Sequence, residues 1–204
     1  ISRNQECTIG NLCADAFRSI VQTDIAMINS GSFRASLPKG DISLLTLYNV
    51  IPYSNKLCIG TITGAQLLDA LEYGVRLIPY EIGCFPQVSG MKYDIDASVN
   101  ANIKLDDDEL FERIDGNMRR ISNLLILNRS NGKYEPVDTS RIYTITATDY
   151  LIRDKGDGGI LRYATCLEET GMTDLECVSQ FIRTLPNATI PSSYSHTEGR
   201  INIK

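Results

Sequence analysis

Apolar residues recur at Ile9, Leu12, Cys13, Ala16, Phe17, Ile20 and Val21, three and four positions apart, with polar residues between them. That period predicts an amphipathic helix over residues 8–22. A short, mostly apolar run over 24–28 reads as a buried strand. Ser43 is placed to cap a compact helix that runs to Val50. A strand is predicted over 56–61. The following Thr63-Gly64-Ala65-Gln66 has the capping-box pattern, and Leu67, Leu68, Leu71 and Val75 carry its helix to about Leu77. Pro79 and Gly83 end that element.

Period-two alternation predicts a strand over 91–95, and a second strand is expected over 121–127, turning at Asn131-Gly132, a strong hairpin signal. Another strand is expected over 142–147, then a flexible glycine loop over 154–159. Leu175, Val178, Phe181 and Ile182 define one face of a helix over 174–184, and residues 199–203 read as a closing strand. Residues 97–118 are acidic around Asp106-Asp107-Asp108-Glu109 and read as a surface insertion. No internal repeat or long linker divides the chain. One α+β domain over residues 1–204 is the simplest account.

Composition narrows the function classes. The net charge is −5, and no basic tract has the density that phosphate-backbone binding needs, so nucleic acid is not an expected partner. No apolar run reaches membrane-spanning length. The chain opens Ile1-Ser2-Arg3 without an initiator Met or a signal peptide, and is read as an excised domain or a processed product. The six cysteines form no CxxC pair, so a zinc site is not expected. Two readings of them stand side by side: bridges Cys58–Cys84 and Cys166–Cys177, or six buried thiols. The triplets at Asn128 and Asn187 lean towards a secreted eukaryotic protein.

The candidate chemistry gathers in loops that follow strands. Met27-Ile28-Asn29-Ser30-Gly31-Ser32-Phe33-Arg34 runs from a strand into a small polar loop closed by a cation. Strand ends of this kind hold ligands in α/β sheets. Asn29 could read a base edge, the thin backbone at Gly31 allows close approach, and Arg34 could fork onto a phosphate or ribose oxygens. Arg3 offers a second cation. Tyr53, held by Pro52, and Tyr150, at the entry to a glycine loop, could clamp a heterocycle between two rings. Asp157, among glycines, could accept from both hydroxyls of a ribose. Each residue also has a structural alternative: core-capping tyrosines, surface ion pairs for the arginines, a turn role for Asp157. Metal and nucleophilic chemistry are poorly supplied. The only histidine is His196, in a Ser/Thr-rich tail, whereas a two-metal site or a catalytic triad needs such ligands gathered together. The chain is therefore expected to bind a substrate and not to cleave it.

An ordered series of segments carries a family likeness: Gly10-Asn11-Leu12-Cys13-Ala14-Asp15-Ala16, Asn29-Ser30-Gly31-Ser32-Phe33-Arg34, Tyr48-Asn49-Val50-Ile51-Pro52-Tyr53, Thr63-Gly64, Gln87-Val88-Ser89-Gly90, Tyr134-Glu135-Pro136-Val137, Asp149-Tyr150-Leu151, Gly156-Asp157-Gly158 and Glu198-Gly199-Arg200-Ile201. It resembles the C-terminal domain of the 5′-nucleotidase family, which includes ecto-5′-nucleotidase and bacterial UDP-sugar hydrolase. The resemblance implies a single domain with a mixed sheet packed by helices. It implies a separate N-terminal metallophosphoesterase domain that holds two divalent metal ions and performs the hydrolysis, with no cofactor on this chain. The expected function is substrate recognition within a 5′-nucleotidase-like hydrolase acting on nucleoside monophosphates, the isolated chain being inactive. By the same resemblance, Tyr53 and Tyr150 form the base-stacking pair (usually phenylalanines in relatives). Asn29 contacts the base, Asp157 the ribose hydroxyls, and Arg3 and Arg34 the ribose and phosphate region. The expected partners are a nucleotide or nucleoside and the N-terminal domain, in an extracellular, cell-surface or periplasmic setting.

The chain departs from the family in three places. Ser30, Ser32 and Phe33 replace smaller residues, the Tyr150–Asp157 interval is one residue longer, and Lys155 replaces a common glycine. The altered glycine loop and the longer second loop keep open a non-enzymatic secreted binding module, and a related cyclic phosphodiesterase or nucleotide-sugar hydrolase stays open because all of these handle a base and a ribose.

Overall fold

A computed structural model describes residues 3–204. In chain order the first half comprises α1 (Thr8–Val21), β1 (Ile25–Asn29), a 3-10 turn (Ser30–Ser32), α2 (Leu44–Val50), β2 (Lys56–Thr63), α3 (Gly64–Gly74), β3 (Pro86–Ser89) and β4 (Met91–Ile95). The second half comprises β5 (Ile103–Leu105), β6 (Phe111–Ile114), β7 (Ile121–Asn128), β8 (Lys133–Pro136), β9 (Ile142–Thr148), α4 (Asp149–Ile152), α5 (Gly156–Gly159), β10 (Thr165–Thr173), α6 (Asp174–Thr184) and β11 (Ile201–Ile203).

A five-stranded mixed sheet of order β10-β2-β9-β1-β3 forms the centre. β1 runs parallel to β9 and antiparallel to β3. Both faces of this sheet are covered, so β1 is buried at every residue and shows a continuous apolar run. Its side chains alternate between two cores. Ile25 and Met27 join α3 and the second sheet on one side, and Ala26 and Ile28 join α1, α2 and α6 on the other. The second sheet has order β11-β4-β7-β8, with β11 parallel to β4. This is the α+β, single-domain, mixed-sheet arrangement expected from the sequence.

Capping decides several boundaries. The Thr63 and Thr173 hydroxyls accept from the amides of Gln66 and Glu176, whose side chains accept in return. Ser43 caps α2 in the same way, with Thr46 closing the box. α1 ends one residue earlier than its periodicity suggests, because Gln22 turns left-handed at φ 65°. α3 ends at Gly74, short of Leu77. Glu6, 7% exposed, joins the start of the domain to its last strand. Its carboxylate accepts from Asn11 Nδ2 at 2.7 Å and from the amides of Glu198 and Arg200 at 2.8 Å each.

Two expectations are corrected. Residues 97–118 are more than a surface insertion: β5 and β6 form a hairpin that drives Phe111 into the core, 4.9 Å from the Tyr73 ring. The Cys58–Cys84 and Cys166–Cys177 pairings are absent, and all six cysteines are free. The topology separates those partners. Cys84 lies against Arg76 Nη1 at 3.0 Å, Cys177 points at the Ala16 carbonyl, and Cys166 sits on the strand that pairs with the one carrying Cys58.

Candidate functional site

Four strand ends meet at one end of the central sheet. β1 and β9 finish there, and β2 and β3 begin there, with Asn29 opposite Pro86 and Leu57 opposite Thr148. The loops leaving these ends carry most of the candidates, and Asn29 meets Asp157 although 128 positions separate them.

Two hydrogen-bonded chains organise them. In the first, Asn29 Nδ2 donates to Asp157 Oδ2 at 2.6 Å, and Tyr150 donates its hydroxyl to Asp157 Oδ1 at 3.0 Å. The same phenol oxygen accepts from the Asp157 amide at 3.0 Å. Ser32 Oγ donates to Asn29 Oδ1 at 2.6 Å, so both ends of the Asn29 amide are engaged. In the second chain, Arg34 Nε donates to the Tyr53 hydroxyl at 2.8 Å while its guanidinium lies 5.1 Å from that ring's centroid. Tyr53 is 50% and Tyr150 37% exposed, which leaves ring area available on both. Burial pushes the Tyr150 phenol above its ordinary pKa, and the Asp157 amide opposes that shift.

The backbone explains why these residues hold their positions. Lys155 and Asp157 are left-handed at φ 54° and 51°, and Gly158 follows at 72°. A β-carbon on Gly158 would come within 2.0 Å of the Tyr73 hydroxyl, so only glycine fits. The Tyr150 ring lies against Gly156, where a β-carbon would approach it to 2.4 Å. The amides of Ser30 and Gly31 donate to the carbonyls of Phe85 and Gly83 at 2.8 and 2.7 Å. The Gly31 amide is thus engaged by the Gly83 carbonyl, and a β-carbon there would come within 3.1 Å of Asn29 Nδ2. The carbonyl of half-buried Arg3 accepts from the Ile82 amide at 3.1 Å, which sets Arg3 beside the segment that backs Gly31.

Sequence reasoning missed the supports. Tyr73, Gly83 and Gly156 hold the candidates in place, and the role of Ser32, named only as a departure from the family pattern, as the partner of the Asn29 oxygen was not foreseen. It also missed Asp174, the 1% exposed first residue of α6, whose amide donates to the Asn55 carbonyl behind the Tyr53 loop at 2.8 Å. Burial raises its carboxyl pKa to about 6, against opposition from the amides of Leu175 and Asn55 and with help from the Asp149 charge.

Among the described residues no group of three or more His, Cys, Asp or Glu side chains is placed to hold a metal ion. Among the same residues no helix is long and apolar enough to cross a membrane. A cleft of about 1190 Å³ lies elsewhere, between α1, α6 and residues 36–44, and none of the candidate residues lines it.

Comparison with known proteins gives a consistent result. The chain is 30% identical over 204 residues to the trifunctional nucleotide phosphoesterase protein YfkN of Bacillus subtilis, covering 98% of this chain and 12% of that protein. It is 28% identical over 213 residues to a 5′-nucleotidase of Diplobatis ommata, covering 98% of this chain and 33% of the other. The crystal structure of a 5′-nucleotidase precursor from Thermus thermophilus superposes with a TM-score of 0.82 at 29% identity, over all of this chain and 36% of that one. The chain thus spans little more than a third, or less, of these relatives. The family described as the 5′-nucleotidase C-terminal domain matches residues 1–166, and the protein belongs to that family.

Proposed function

We propose that this domain recognises the substrate of a metal-dependent, 5′-nucleotidase-like hydrolase that removes phosphate from nucleoside monophosphates. The placement of Asn29, Arg34, Tyr53, Tyr150 and Asp157 on loops at one sheet end supports this reading most directly, because one hydrogen-bonded group joins the Tyr150 ring to a carboxylate and the other joins the Tyr53 ring to a cation. In this scheme a base stacks between Tyr53 and Tyr150 and its edge meets Asn29. The ribose hydroxyls donate to Asp157, and Arg3 and Arg34 draw the phosphate. Gly31 allows the ligand to approach the backbone closely.

The tyrosine hydroxyls make this ground state self-occupied. Arg34 and Asp157 already have partners, so an incoming nucleotide exchanges protein hydrogen bonds for its own and discriminates by how well it replaces them. In this scheme the hydrolytic chemistry would be supplied by an N-terminal metallophosphoesterase domain and the two divalent ions it would hold. This chain's residues orient the nucleotide towards that centre. The setting proposed is extracellular, cell-surface or periplasmic.

Calorimetric titration of the domain with AMP, UMP and adenosine tests the reading. Tyr53→Ala and Tyr150→Ala should each weaken binding by about 5- to 150-fold, the loss of one stacking surface worth roughly 1–3 kcal/mol. Unchanged affinity in both variants refutes the clamp. A second reading, a non-enzymatic binding module, is favoured by the Ser32 hydroxyl, which takes the Asn29 oxygen that would read a base. A longer reading frame with Asp-x-His and Asn-His-Glu/Asp motifs upstream would support the enzyme over the module.

A further inference from the structure

β10 is the edge strand of the central sheet, and it pairs only with β2. In that pairing Cys166 stands opposite Gly60, and a bulge between Cys166 and Glu168 brings Glu169 opposite Cys58. Residues two apart on a strand share a face, so Cys58 and Gly60 point to the same side, and Cys166 points there with them. Position 60 has no side chain to stand between the two sulfurs. Both thiols face one core cluster, in which Cys58 is fully buried and Cys166, partly buried, packs against its rim. The Cys166 side chain is close enough to add to the rise that burial imposes on the Cys58 thiol pKa.

We propose that Cys58 and Cys166 form a cross-strand disulfide that fastens the edge strand β10 to β2 when the domain meets an oxidising, disulfide-containing medium. A small-molecule disulfide, such as oxidised glutathione, is the oxidant. Cys166 is the accessible partner. Its thiolate attacks one sulfur of the small disulfide, one small thiol leaves, and a mixed disulfide remains on Cys166. Cys58 then loses its proton to solvent, and its sulfur attacks that of Cys166, expelling the second small thiol. Two protein thiols are oxidised and one small disulfide is reduced to two thiols, which balances the step. The order follows from burial and from the contact with Cys166, which raise the Cys58 pKa to about 12 and hold its proton until a sulfur electrophile stands beside it.

The bridge would matter because of what β10 leads into. Its last residue, Thr173, caps α6, and Asp174 holds the Asn55 carbonyl behind the Tyr53 loop. An exposed edge strand is also a template for pairing with other chains, and a staple keeps it seated.

The test is incubation of the natively folded protein with oxidised glutathione, alkylation of the remaining thiols, and non-reducing peptide mapping. The expected product is one peptide pair joining Cys58 to Cys166, two hydrogens lighter than the sum of its parts. A rise in Tm of roughly 5–10 °C should accompany it and reverse with a reductant. Cys166→Ser, at the half-buried edge position, should lose both the link and the shift while keeping the starting Tm. Cys58→Ser, in the core, serves as the second variant and should likewise lose the link. Quantitative alkylation of both thiols after unfolding the oxidised sample would overturn the proposal. So would a link from Cys58 to any other cysteine, or a Tm shift that persists in Cys166→Ser.

Discussion

Replacing Asp174 by asparagine should stabilise the domain at neutral pH and leave it almost unchanged in acid. The folded carboxyl titrates at about 6 against an ordinary 3.8, chiefly because it is buried at the start of α6. An acid with a raised folded pKa binds its proton more tightly in the native state. Its ionisation therefore erodes stability as pH climbs from about 3.8 to about 6, and the full penalty persists above that. At about 1.4 kcal/mol per unit, the shift amounts to about 3 kcal/mol. Asparagine mimics the neutral acid and can still accept from the Leu175 amide, which bonds Asp174 Oδ1 at 2.7 Å. Urea unfolding of the parent and Asp174→Asn should then differ by about 2–3 kcal/mol at about pH 7.5 and by less than about 1 kcal/mol at about pH 4. A gain of equal size at both pH values, or a loss at neutral pH, would refute the reasoning. It would show that the carboxylate is held by partners that compensate its burial.

Three further outcomes are expected. Gly158→Ala adds a methyl 2.0 Å from the Tyr73 hydroxyl at a residue with φ 72°. It should lower stability by about 1–3 kcal/mol, read as a fall in Tm. Gly156→Ala pushes against the Tyr150 ring and should weaken nucleotide binding by roughly tenfold or more in calorimetry while moving Tm less than Gly158→Ala does. Tyr150→Phe keeps the ring but deletes both hydrogen bonds to Asp157. It should change affinity for adenosine more than for a free base, because the ribose-facing carboxylate is the group released; equal effects on both ligands would argue against Asp157 as the ribose contact.

Much of the fold was legible because its local signals agree with its global needs. Thr63 announced a helix start, and strict alternation marked β4. What escaped were elements whose patterns are set by edges and partners. β10 reads Thr-Cys-Leu-Glu-Glu-Thr-Gly-Met-Thr, too polar and broken for a core strand, yet it needs only one neighbour. The β5–β6 hairpin hides behind an acidic run, and its purpose shows only when Phe111 meets Tyr73. The candidate site divides in the same way. Residues at strand ends could be named from chain order, since a strand that stops must deliver its next side chains to the sheet's rim. The bonds between them could not, because Asn29 and Asp157 meet only through the pairing of β1 with β9 and a left-handed turn at 157.

The Glu6 carboxylate has a practical corollary for anyone trimming the protein. Its buried oxygens accept from the amides of Glu198, Arg200 and Ile201, nearly two hundred residues away along the chain. A version stopped just before Glu198 would strip away those donors and leave only the Asn11 amide to answer it. The damage would surface far from the cut, as fraying where α1 begins, and engineers choosing boundaries should keep Glu6 and residues 198–201 together.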